Sequence, residues 1–151
     1  MYKNGFHGDN CKTVIVGKCD ARGEELVHAT EEALNKAIAV CAPGACLTDV
    51  GNAIEEVANH HRFQISREFM GHGVGFILHM SPLVAHYRNN DMLKLETGMI
   101  FTIEPIFLEC SRKLRRWPDG WSAATADGGR SAQFEHEVLI TETGAEVLTV
   151  P

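Results

Sequence analysis

Phe134-Glu135-His136-Glu137-Val138-Leu139-Ile140-Thr141 has the two-residue period and β-branched content of a strand, and Glu142-Thr143-Gly144 turns it back into a second, Ala145 to Val150. The same period appears earlier, at Met99 to Glu104 and at Phe63 to Phe69. Before these strands the spacing changes to three and four. Leu26, Ala29, Ala33, Leu34, Ala37, Ile38 and Cys41 form one face of a helix over Arg22 to Cys41, which Pro43-Gly44 stops. Val50, Ala53, Ile54, Val57 and Ala58 form the stripe of a second helix, capped by Thr48 or Asp49 and ending at His60-His61 as an exposed helix end. At the start, Asn4-Gly5 is the sequence signal of a two-residue hairpin turn, since both central positions need positive φ. One arm runs from Phe6 towards Val16, and only Met1, Tyr2 and Lys3 stand before the turn. Strand, two helices and then several strands predict an α+β fold, with helices on one face of a mainly antiparallel sheet.

The chain's 151 residues suit one domain and one core. It has no apolar run long enough to span a bilayer, so no membrane insertion is expected. A net charge of -6 argues against a nucleic-acid surface; the basic cluster Arg112, Lys113, Arg115 and Arg116 is expected to be a solvated loop. No targeting peptide is visible in the opening residues, and the cytoplasm is the expected compartment. Five cysteines without a CxxC pair are expected to be reduced, with a disulfide or metal pair at Cys41 and Cys46 as the alternative.

Three acids conflict with their surroundings. Glu104 closes the apolar strand Met99-Ile-Phe-Thr-Ile-Glu104-Pro105, Glu135 lies among apolar strand residues, and Asp9 sits in the hairpin arm. Burying an unpaired carboxylate costs several kcal/mol, roughly, and Lys and Arg are scarce beside these positions. A bound metal is the simplest shared partner. Gly71-His72-Gly73-Val74-Gly75 offers a nitrogen ligand on a tight loop, where glycines let backbone or substrate approach. Alone, that motif equally fits a turn histidine between permissive residues. Asp9, His72, Glu104 and Glu135 together suit a hard-to-borderline divalent ion such as Mn, Fe, Co or Zn.

The stretches FHGD, GHGVG, FTIEP, WPDGW and TADGGRSAQFEH, in this order, resemble the type I methionine aminopeptidases over essentially the whole chain. That resemblance implies the pita-bread fold and the hydrolytic removal of the initiator methionine from nascent polypeptide N-termini, with ribosome association as a further expectation. It implies that Asp9 and Glu135 bridge two divalent ions, that His72 and Glu104 complete the coordination of one, and that Glu104 also shuttles a proton. His79 matches the histidine beside the scissile carbonyl, and Trp121 the tryptophan lining the methionine pocket. Taken without the resemblance, Trp121 equally suits the core and His79 a structural place, as do His86-Tyr87 and His136. Leu78 stands where an aromatic pocket residue is common in the family, and Met80-Ser81-Pro82 lacks the acid that many bacterial members have after the histidine.

The resemblance also implies a further metal aspartate on the first arm of the Asn4-Gly5 hairpin, eleven residues before Asp9 and so outside this sequence. Residues 1–151 are therefore expected to be the C-terminal half of the catalytic domain plus one hairpin arm of the first half. The second metal site is expected to be weakened. A non-catalytic metal- or peptide-binding module of the same fold is the alternative to an active enzyme.

Overall fold

A computed structural model describes residues 1–150. Asn4 and Gly5 both take positive φ, 54° and 91°. They join β1 (Tyr2–Lys3) to β2 (Phe6–His7), with Tyr2 opposite His7. The second arm is shorter than expected: the chain leaves this hairpin at Gly8, and β3 (Cys11–Lys12) pairs instead with the long strand β11 (Ser131–Ile140).

Helix α1 (Ala21–Ala39) begins at Asp20, whose carboxylate accepts the Gly23 N–H at 2.8 Å, and buries Leu26, Ala29, Ala33, Leu34 and Ala37. Helix α2 (Leu47–His61) buries Val50, Ile54, Val57 and Ala58 on the expected stripe. Its cap is Cys46, two residues before the earliest expected position. Asp49 reaches back to accept the Cys46 N–H at 2.8 Å, so the predicted cap serves as the third helical residue of a capping arrangement. His61 is not a free helix end either. Its ring lies between Glu25 and Glu32 of α1, at 3.1 and 3.2 Å.

The two helices pack on each other, and α1 lies across β11 and β8 (Ile106–Leu108). The main sheet runs in the order β4 (Gln64–Ile65), β8, β11, β7 (Ile100–Ile103), β5 (Gly71–Gly73), β6 (Met80–Val84), and every pairing is antiparallel. β12 (Ala145–Val147) returns along β11 beyond the Glu142-Thr143-Gly144 turn. Phe101, Phe107, Ile103, Leu26, Leu34 and Ile54 meet in the core between sheet and helices. This is the predicted α+β arrangement.

Two expectations are corrected. The strand read at Phe63 to Phe69 is only Gln64–Ile65, because its one neighbour, β8, is itself three residues long. Half of the basic cluster is no loop: Arg112 and Lys113 stand exposed outside any strand as expected, but Leu114–Arg116 (β9) pairs with Ala123–Thr125 (β10) in a small hairpin, Arg115 and Arg116 remaining exposed.

Candidate metal centre

Residues 100–108 form one run broken at Glu104-Pro105, where proline has no N–H to give a ladder. On either side of the break the run pairs with β11, His136 opposite Ile103 and Gln133 opposite Ile106. Continuing this register places Glu104 across from Glu135. On the other margin of β11, Cys11 stands opposite Glu135, and Asp9 follows two residues before it, its N–H donating to Glu137 Oε1 at 2.8 Å.

His72 completes the group from β5, a strand and not the tight loop expected. The glycines are needed for close approach: a Cβ on Gly71 would stand 2.2 Å from the Thr102 carbonyl oxygen, and one on Gly73 2.2 Å from that of Ser81. His72 is buried, and its N–H donates to Thr102 Oγ1 at 3.0 Å. Nδ1 lies 3.1 Å from the Gly73 carbonyl and so carries the proton, which leaves the Nε2 lone pair facing Glu104 at 3.5 Å and Asp9 at 3.8 Å.

One ligand atom from each of Asp9, His72 and Glu135 lies within 4.8 Å of the others. Glu104 stands beside this triad with its carboxylate fixed: Oε1 accepts the Thr102 hydroxyl and Oε2 the Gln133 amide, each at 3.2 Å. Its backbone N–H donates to Nε2 of the fully buried His86 at 3.1 Å.

The electrostatics are those of an acid cluster in want of a cation. Burial, then the charges of Glu104, Asp9 and Glu137, push Glu135 up to about 8. Burial also raises Glu104 to about 7, with Asp9 adding to the shift and the Thr102 hydroxyl opposing it. Like charges directly opposed across a sheet are destabilising. Among the described residues, the only basic side chain within ion-pairing distance of Asp9 or Glu104 is His72. Carboxylate oxygens plus one imidazole nitrogen suit a hard-to-borderline divalent ion, so the residues present fit such a metal.

His79 is exposed, its ring 4.5 Å from that of His72 in an edge-on arrangement. Trp121 is 82% exposed and therefore not core. It lines a cavity of about 430 Å³ with Phe69, Ile106, Leu114 and Gln133. Gln133 also bonds Glu104, so this cavity borders the acid cluster. Thr102 and Gln133 are the polar residues that sequence reading missed, whereas His86 has the structural place expected of it. Thr102 and Gln133 each lie two residues from a predicted acid on the same strand, a spacing that places both side chains on one face.

The model of metallopeptidase family M24 matches residues 1–142. The chain is 43% identical over 149 residues to methionine aminopeptidase 1D, chloroplastic/mitochondrial, of Arabidopsis thaliana, covering 99% of this chain and 43% of that protein. It is 45% identical to methionine aminopeptidase 1 of Dictyostelium discoideum, covering 99% and 41%. Among solved structures, a methionine aminopeptidase from Thermotoga maritima superposes with a TM-score of 0.95 at 44% identity, covering 98% of this chain and 60% of that one. A prolidase from Pyrococcus furiosus superposes with a TM-score of 0.75 at 26% identity, covering 98% and 38%. The chain thus spans less than half the length of the curated relatives it matches.

Proposed function

The chain belongs to metallopeptidase family M24 and has its pita-bread fold, and from that premise we propose that it hydrolyses the peptide bond after the initiator methionine of nascent polypeptides. The observation that carries the proposal is the convergence of Asp9, His72 and Glu135, drawn from three separate parts of the chain, within 4.8 Å. Asp9, His72, Glu104 and Glu135 would hold the metal, with Mn, Fe, Co or Zn as the ions that suit this donor set. When bound, a divalent cation there supplies positive charge that acidifies a water towards neutrality and polarises a carbonyl.

Glu104 takes and returns the proton. Its carboxylate, held by the Thr102 hydroxyl and the Gln133 amide, is fixed where it would take a proton from the attacking water and return it to the leaving amine without changing position. His79, beside His72 and open to solvent, donates to the oxygen on which charge develops. The cavity bordered by Trp121 and Phe69 receives the methionine side chain. Small second residues, ribosome-associated substrates and a cytoplasmic site of action belong to the same proposal. Organellar forms among the named relatives make cell fractionation the check on compartment.

The acid cluster by itself also fits one other reading, a module that binds metal or peptide without turnover. Asp9, Glu104 and Glu135 contribute three negative charges against the four positive charges of two divalent ions, so the second ion is the weaker. Purified chain incubated with Mn(II) or Co(II) and a Met-Gly peptide is expected to release methionine, and His72→Ala to abolish the release. Metal binding without release favours the module, and absence of both refutes the proposal.

A further inference from the structure

Glu137 takes no part in the mechanism above, yet it is buried beside the acid cluster. It follows Glu135 by two residues on β11, so both side chains leave the same face of the strand. Its Oε1 accepts the Asp9 N–H at 2.8 Å, and among the described residues Oε2 accepts no hydrogen bond. No Lys or Arg side chain within the described residues pairs with it, and the charged or titratable groups that face it are Asp9, Glu135, His72 and the Met1 ammonium. An acid in such a place is costly on its own. A neutral glutamine would accept the same backbone N–H without that cost, so the hydrogen bond by itself does not account for a carboxylate.

We infer that Glu137 is the fourth carboxylate of the cation site, adding its negative charge behind Asp9 while its hydrogen bond fixes the Asp9 backbone. This rests on the reading that Asp9, His72, Glu104 and Glu135 bind a divalent ion. Glu137 is not one of the three residues whose ligand atoms converge. It acts as a positioning residue and through its charge. With it the carboxylate charge becomes -4, equal in size to the charge on two divalent ions.

Two substitutions separate charge from support. Glu137→Gln keeps an acceptor for the Asp9 N–H and removes the charge; Glu137→Asp keeps the charge and is too short for the same hydrogen bond. Calorimetric titration of the metal-free full chain with Mn(II) alone is expected to give binding at least about tenfold weaker for E137Q and within about threefold of wild type for E137D. Equal affinity of E137Q and wild type overturns the inference and leaves the metal site standing. A loss confined to E137D, with E137Q at wild-type affinity, likewise overturns it, in favour of backbone support alone. Absence of Mn(II) binding by the wild-type chain refutes the metal site itself and the inference with it. Circular dichroism checks that each variant is folded; should E137Q not fold, Glu137→Asn against E137D decides, since both lack the hydrogen bond and differ only in charge: about tenfold weaker binding by E137N supports the inference and equal affinities overturn it.

Discussion

A single imidazole or carboxylate in this protein answers to several neighbours at once, and His86 is the clearest instance. Burial drives it down to about 3, so it stays neutral and accepts the Glu104 N–H. Replacing it by alanine removes that acceptor and leaves a cavity, and should cost about 2–4 kcal/mol in urea unfolding of the metal-free chain. The acids set the opposite pH trend. Glu104 and Glu135, raised to about 7 and about 8, keep protons in the folded metal-free chain that the unfolded chain releases near 4.5. The stability they contribute is full below about 4.5 and is lost as pH rises through 7 to 8. Thermal melts of metal-free protein should therefore fall from pH 6.5 to 8.5, and excess Mn(II) should reverse the fall. A flat profile contradicts it. At low pH the slope reverses, because the unfolded chain protonates His86 below about 6.5 while the folded one resists until about 3.

Strands and helices differed in how openly the sequence announced them. The α1 and α2 stripes were legible because a helix repeats its buried face locally, every three or four residues. β5 was not, since Gly71-His72-Gly73 is extended only through its pairing with β6 and β7, whose backbones pass too close for any side chain at either glycine. The acids could be found because a charge inside an apolar strand is a local contradiction. Thr102 and Gln133 looked like ordinary strand polar residues, and only the fold turns them onto Glu104. Gly73→Ala would place a methyl 2.2 Å from the Ser81 oxygen, and is expected to destabilise by about 3 kcal/mol or prevent soluble expression. Arg130, quoted in the family motif without a role, ties the start of α1 to the sheet, donating to Asp20 at 2.8 Å and to Glu109 at 2.7 Å. Its guanidinium holds both carboxyls below their usual range. Depressed acids stabilise above their unfolded pKa and cease to do so as pH falls through the folded one. Arg130→Met should lower the melting temperature at pH 7 and approach wild type at acid pH.

At the scale of the molecule, the accessible surface is 8806 Å², against roughly 7600 Å² for a compact chain of 16.6 kDa. Phe6, Phe76, Ile77, Leu83 and Trp121 are among the large apolar side chains left more than half exposed, and Phe6 and Phe76 stack at 4.3 Å between ring centres. Sedimentation velocity is expected to show concentration-dependent association of the isolated chain, and Phe76→Glu to weaken it. A monomer at every concentration would contradict this. Fold class and the conflicting acids could be read along the chain because each depends on near neighbours, and bare apolar surface is expected of a chain that resembles part of a larger domain; which side chains stand bare could not be read, since that depends on which faces the finished sheet leaves uncovered. β11 is stitched on both margins, to β7 and β8 on one and to β3 and β12 on the other. Its amide protons can meet deuterium only when the entire architecture opens, so the slowest exchange should coincide with the strand that carries Glu135, and chemistry and integrity would be lost in a single cooperative event.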